Sequence, residues 1–105
     1  QYDDRLQAEL IASFQQMLDF YGFILRKDEG CLSVERSPSW EVQLKNWLTP
    51  QNHNFLRITR ILTSMRILGL AGHSRALLAA LEALDKEFPD VIGNRTVGFW
   101  RSATG

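Results

Sequence analysis

The sequence predicts an all-α, or mainly α, fold: a compact bundle of about five helices around a central apolar helix, with a small β-hairpin or ordered loop. Apolar residues recur at three- and four-residue steps through most of the chain, which is the periodicity of amphipathic helices. Glycine and proline interrupt this pattern where helices are expected to end, and one stretch near residue 28 is β-prone instead. With 105 residues, 45% of them hydrophobic, residues 1–105 are predicted to form one domain.

The first predicted helix begins at Asp3 or Asp4, either of which can act as its N-cap, and ends before Gly22. Its apolar stripe consists of Leu6, Leu10, Phe14, Met17, Leu18 and Tyr21. Two β-prone runs follow at residues 23–25 and 31–34, and a polar turn lies between them. The first third of the chain is therefore predicted to be a helix followed by a hairpin.

A short second helix is predicted next. Ser37 and Pro38 favour its start, and Pro50 discourages its continuation. Trp40 and Trp47 lie on the same face as two leucines, so both tryptophans are predicted to point into the core.

The third predicted helix, from about residue 52 to residue 70, is the most apolar. One broad arc of this helix contains Phe55, Ile58, Ile61, Leu62, Met65 and Leu68. Three more apolar residues lie outside that arc: Leu56, Ile67 and Leu70. Apolar side chains on nearly every side predict that other helices surround this one.

Two further helices complete the prediction. Ser74 can cap a fourth helix, which Pro89 closes. The terminal segment after Gly93 can form one more short helix that packs Val97 and Trp100.

The composition limits the classes of function. Twelve basic and twelve acidic residues cancel, but residues 51–105 contain seven basic and four acidic residues and are the more basic half. The single cysteine, Cys31, excludes an internal disulfide and favours a reducing compartment, so the expected location is cytoplasmic or nuclear. No apolar run is long enough to span a bilayer, and we expect no membrane insertion.

Sequence motifs for catalysis are absent. The chain contains no glycine-rich phosphate loop, no nucleophile elbow and no zinc or calcium motif, so we expect neither enzymatic activity nor a cofactor or metal. The adjacent carboxylates Asp28 and Glu29 fit a solvated turn better than acid–base chemistry.

Two arginines in the most apolar helix are the unusual feature. Arg57 and Arg60 form a narrow polar stripe there. The favoured structural interpretation is that both are at least partly buried and that one pairs with a carboxylate such as Asp19 or Glu41. The functional interpretation is an anion or partner site, because residues 53–81 contain four arginines and no acidic residue.

The predicted ligand or partner site consists of His53, Asn54, Arg57, Arg60, Arg66 and Arg75. A protein or peptide partner is favoured, and nucleic-acid binding through the arginine patch is the alternative. We also expect a homodimer formed through outward-facing residues of the first helix and the terminal segment from Val97 to Trp100.

The stretch "NHNFLRITRILTSMRILGL", which contains most of these candidates, closely resembles the signature segment of the opioid growth factor receptor conserved region. "MLDFYGF", from Met17 to Phe23, resembles a second family motif, and the Phe-Trp pair at Phe99 and Trp100 is similar to the family's terminal helix. The resemblance covers most of this chain and about the second half of the family's region.

The resemblance implies a non-enzymatic protein or peptide interaction module. Animal members of the family are associated with binding an enkephalin-type opioid growth factor peptide and with restraining cell proliferation at the nucleus. The region also resembles parts of fungal and bacterial proteins. A peptide-receptor or growth-regulatory role is therefore an expectation from the resemblance alone.

Overall fold

A computed structural model describes residues 4–49, 52–89 and 91–105. Its elements, in chain order, are α1 (Asp4–Tyr21), β1 (Phe23–Asp28), β2 (Cys31–Arg36), α2 (Trp40–Trp47), α3 (Asn54–Ile67), α4 (Ala71–Glu87) and α5 (Asn94–Ala103). The described part of the chain thus confirms a mainly α fold with five helices and one hairpin. The predicted caps and stops at Asp3 and Pro50, and the side chain of Asp4, lie outside the described residues.

Gly22 makes the sharp transition from α1 to the hairpin. Its φ of 87° is in the left-handed region, and a Cβ at this position would lie 3.0 Å from the Cα of Trp40. Glycine is therefore required both for the backbone conformation and for the close approach of α2.

The hairpin is longer than predicted, because the two strands pair along their whole length. Its antiparallel register runs from Phe23 opposite Arg36 to Asp28 opposite Cys31. The connecting turn uses Glu29 and Gly30, which both have positive φ, as expected for a two-residue turn of type I′.

Aromatic rings connect the elements through the core. Tyr21 of α1 packs edge-on against Trp47 of α2, with ring centroids 5.2 Å apart. Trp47 in turn contacts Phe55 of α3 at 6.4 Å, and Phe55 contacts Trp100 of α5 at 5.9 Å. Trp47 and Trp100 are completely buried, whereas Trp40 is only half-buried, so one of the two tryptophans predicted to point inward in α2 is fully in the core.

One side of α3 is closely packed against α4 and α5. The Ser74 hydroxyl of α4 donates to the Leu62 carbonyl at 2.9 Å, and the Trp100 indole of α5 donates to the Phe55 carbonyl at 3.1 Å. Ser74 therefore lies inside α4, which begins at Ala71, and the prediction that it caps this helix is wrong.

The third helix is shorter and less enclosed than predicted. It ends at Ile67, because Gly69, with a φ of 89°, turns the chain before α4. Leu56 and Ile67 are exposed, so α3 is central to the core but is not surrounded on every side. Leu70, the third apolar residue outside the predicted arc, lies beyond the end of α3 and is buried.

Candidate binding cleft between the first and third helices

A cleft of about 230 Å³ separates α1 from α3. Its lining is predominantly apolar and includes Leu10, Phe14 and Met17 from α1 and Ile61 and Met65 from α3. The polar side chains that line it are Ser13, Arg57, Arg60 and Ser64. The cleft thus combines an apolar surface with two positive charges.

The α1 side of the cleft continues onto an exposed apolar stripe. Leu6, Met17 and Phe20 keep 43%, 40% and 45% of their surface exposed. Together with the partly buried Leu10 they follow three-, four- and seven-residue spacing and therefore lie along one side of the helix. A different stripe of α1 packs into the core and consists of Phe14, Leu18 and Tyr21. The first helix consequently has two apolar faces, and only one of them is covered.

Arg57 and Arg60 are both exposed, so the prediction that they are partly buried is wrong. Among the described residues neither forms an ion pair with a carboxylate, in contrast to arginines such as Arg26, Arg36 and Arg101. The suggested partners do not face them: Asp19 projects from the side of α1 opposite Met17, and Glu41 lines a separate pocket of α2. The two guanidinium groups are therefore available at the edge of the cleft.

Arg57 lies beside Tyr21 at that edge, where both side chains line one depression. The Tyr21 hydroxyl donates to the Asn54 amide oxygen at 3.3 Å. Burial raises the pKa of Tyr21, and the positive charge and hydrogen bond of Arg57 partly oppose that increase. The Tyr21 hydroxyl is therefore a neutral donor and acceptor that connects the core to the arginine.

Asn54 forms the buried end of this hydrogen-bond chain. It is only 3% exposed, and its side-chain amide and backbone N–H both donate to the Asn52 side-chain oxygen, each at 2.9 Å. Asn52, rather than His53, thus satisfies the first turn of α3, where His53 forms no side-chain capping bond. Because Asn54 is buried, its side chain is not available to a partner in this conformation.

The remaining candidate residues do not join the cleft. His53 is exposed and lines a different depression, beside Leu56 and Phe99. The Arg66 Nε donates to the Ala103 carbonyl at 2.8 Å and so supports the end of α5, while Arg75 is an exposed residue of α4. Of the six predicted site residues, only Arg57 and Arg60 line the cleft, and Asn54 acts indirectly through Tyr21.

The sequence prediction missed the apolar side of this site. The single stripe predicted for α1 places Leu6, Leu10 and Met17 in the core with Phe14, whereas Leu6 and Met17 are exposed. The informative signal was the pairing of Leu6 with Phe20, which lie outside the buried stripe at helical spacing.

The homodimer stays a prediction, and only part of its predicted C-terminal segment faces outward. Val97 and Trp100 are buried against the core, and Phe99 is the exposed residue of that segment. Within residues 4–49, 52–89 and 91–105, no cluster of three or more histidine, cysteine or acidic side chains could hold a metal ion. No helix in the same ranges is long and apolar enough to cross a bilayer.

Comparisons with known proteins identify the family. A family model described as the opioid growth factor receptor conserved region matches residues 1–95. The chain is 38% identical over 73 residues to the opioid growth factor receptor of Rattus norvegicus, which is 70% of this chain and 12% of that protein. It is 42% identical over 65 residues to the receptor of Homo sapiens, covering 62% of this chain and 9% of that protein.

A related protein gives a similar result. The chain is 41% identical over 59 residues to opioid growth factor receptor-like protein 1 of Xenopus tropicalis, covering 56% of this chain and 11% of that protein. The matches therefore span about a tenth of the length of these relatives. No solved structure matches the chain. The family match over residues 1–95 shows that this chain belongs to the opioid growth factor receptor conserved-region family.

Proposed function

We propose that the chain is a non-enzymatic module that binds a protein or peptide partner in the cleft between α1 and α3. The observation that carries the proposal is the uncovered apolar stripe of α1 beside two exposed arginines. Exposed apolar surface with a polar edge is typical of a protein interaction site, since water is displaced from it when a partner binds.

The relatives support a role in recognition. The rat and human proteins are each named opioid growth factor receptor, and this chain matches the family's conserved region over residues 1–95. Because the matches span about a tenth of those proteins, a peptide-receptor or growth-regulatory role of this chain is part of the proposal and needs its own test.

Nucleic-acid binding is the weaker candidate. The four arginines on which it depended are divided between different surroundings: two line the cleft, Arg66 bonds to the end of α5, and Arg75 lies on α4. A nucleic-acid site would weaken with salt in proportion to the phosphates it neutralises. We expect only weak, non-specific retention on DNA or RNA.

A displayed library of random peptides tests the proposal without assuming the chemistry of the ligand. Peptides selected on the native chain are re-tested against Met17→Glu, which places a charge in the cleft, and against Val42→Glu as a control. Val42 is also an exposed apolar residue, but it lies on α2 and does not line the cleft.

We expect the selected peptides to lose binding to Met17→Glu and to keep binding to Val42→Glu, with both variants folded by circular dichroism. Peptides that bind both variants equally, or a selection that yields no specific binder, would contradict the proposed function.

A further inference from the structure

We propose that the cleft accepts an amphipathic helix bearing two acidic residues, one of which is bound by Arg57 in a position set by Tyr21. The inference rests on the proposed function and adds the chemistry of the partner. In this proposal Arg57 and Arg60 contact the ligand directly, and Tyr21 is a positioning residue.

Charge is the first argument. Arg57 and Arg60 line the cleft three residues apart on α3, so their side chains lie on neighbouring turns of the same side. Among the described residues, neither α1 nor α3 contributes an acidic side chain to the lining of the cleft. Two acidic residues spaced three or four apart on a partner helix match this pair.

Backbone hydrogen bonding is the second argument. The cleft is formed by two helices, whose internal backbone groups are already paired within each helix. An extended segment buried there would find few free backbone groups and would leave its own N–H and C=O groups without partners. A helix satisfies its backbone internally and presents only side chains to the cleft.

The length of the apolar stripe agrees with a helix of modest size. From Leu6 to Phe20 the stripe spans 14 residue steps, or roughly 21 Å at the helical rise of about 1.5 Å per residue. A partner helix of about four turns would cover it. Its apolar residues would then contact Leu6, Met17 and Phe20, which are the exposed side chains of α1 on this face.

The Tyr21 hydroxyl offers Arg57 a fixed neighbour before any partner binds, because Tyr21 and Arg57 line the same depression beside α1. The hydroxyl itself is fixed, since it donates to buried Asn54, which in turn donates to Asn52. A side chain that is already ordered loses less conformational entropy when it forms an ion pair. Arg60 does not line the depression that contains Tyr21.

The test uses two synthetic peptides of 14 residues with leucines on one helical face. One carries two glutamates at three-residue spacing beside that face, and the other carries two lysines at the same positions. Fluorescence anisotropy measures the affinity of each peptide for the native chain and for Arg57→Glu. We expect the lysine peptide to bind the native chain about tenfold more weakly, because two ion pairs become two repulsions.

Arg57→Glu should reverse part of this preference by weakening the glutamate peptide and strengthening the lysine peptide. Such a reversal distinguishes a direct ion pair from damage to the fold, which would weaken both peptides. Equal binding of the two peptides to the native chain would overturn the inference.

Tyr21→Phe isolates the positioning role, because it removes the hydroxyl and keeps the buried ring. We expect this change to lower the affinity for the glutamate peptide about twofold to threefold, because Arg57 would be less ordered before binding. The affinity for the lysine peptide should stay unchanged. In an Arg57→Gln background the same change should have no effect. An equal loss for both peptides, or the same loss in that background, would show that Tyr21 acts only on the fold.

The outcomes separate this inference from the proposed function. Library peptides that depend on Met17 but lack acidic residues would overturn the inference and leave the proposed function standing. Sedimentation provides the other contradiction: a dimer of the native chain that Met17→Glu abolishes would identify a second copy, rather than an acidic helix, as the occupant.

Discussion

The two sides of α3 are built differently. Toward α4 and α5, polar side chains cross the interface and donate to backbone carbonyls, as Ser74 does to Leu62 and Trp100 does to Phe55. Toward α1, the facing side chains leave a cleft of about 230 Å³ whose polar members include two exposed arginines. The same helix therefore has one side that closes the core and another that leaves apolar surface uncovered.

This difference indicates which residues stabilise the domain and which are available for binding. Buried polar atoms on the closed side all need hydrogen-bond partners, because an unsatisfied buried polar group destabilises the folded state. Residues beside the cleft keep access to water and tolerate substitution better. The account is tested by comparing matched substitutions on the two sides.

The largest expected effect concerns Trp100 and Met17. Trp100 is completely buried on the closed side, so Trp100→Ala should lower the free energy of unfolding by about 3–5 kcal/mol. Met17→Ala, in the half-open cleft, should cost less than about 1 kcal/mol. Urea denaturation measures both, and equal losses would show that the cleft is as important to stability as the core.

A smaller effect is expected for two serines on opposite sides. Ser74→Ala removes the buried bond to the Leu62 carbonyl and should cost about 1 kcal/mol. Ser64→Ala lies at the cleft, where the hydroxyl is exposed, and should change stability by less than about 0.5 kcal/mol. The comparison fails if Ser64→Ala proves the more damaging of the two in the same denaturation experiment.

The interface between α1 and α4 adds a pH dependence. His73 packs edge-on against Phe14 at 5.8 Å, and burial, followed by the charge of Lys27, lowers the His73 pKa. The unfolded chain therefore binds more protons between the lowered pKa and about 6.5, so stability should fall as pH decreases through that window. We expect this change to be smaller than the Ser74→Ala effect.

Thermal unfolding at a series of pH values checks the assignment. His73→Gln should remove this component of the pH dependence, whereas His53→Gln, at an exposed position, should leave it in place. If His73→Gln kept the full pH dependence of stability, another titrating group would be responsible for it.

The smallest expected effect is that of Arg60→Ala. Because Arg60 is exposed and forms no ion pair with a described carboxylate, its loss should change the free energy of unfolding by no more than about 0.5 kcal/mol. A loss of about 3 kcal/mol would instead indicate a buried charge pair, which is the structural interpretation that the sequence favours.

Much of the fold follows from the sequence because its signals are local. Helical periodicity predicts α1 and α3, and the positive φ of Gly22 and Gly30 explains why glycines end the first helix and close the hairpin. The predicted helix boundaries are wrong where tertiary contacts determine the role of a side chain. Ser74 is an example, because its hydroxyl bonds to the Leu62 carbonyl instead of capping its own helix.

The site was less predictable for a related reason. A helical wheel shows that Arg57 and Arg60 share a side of α3, and it does not show whether the facing helix covers them. The answer depends on how α1 divides its apolar residues between the core and the cleft, with Phe14 buried and Met17 half-exposed. Helical spacing reveals two apolar stripes on α1, and packing against the hairpin and α2 decides which of them is buried.

The central claim is that the cleft between α1 and α3 receives the partner, and the methionines offer its most direct test. The chain has two methionines, Met17 and Met65, and both line the cleft, one at its half-exposed edge and one at its buried floor. Methyl-labelled methionine therefore gives an NMR spectrum with two signals from one site. Titration with the glutamate-bearing helical peptide should shift both signals with the same saturation curve. Binding that leaves both methyl signals unmoved would contradict the account, since the peptide would then occupy a different surface.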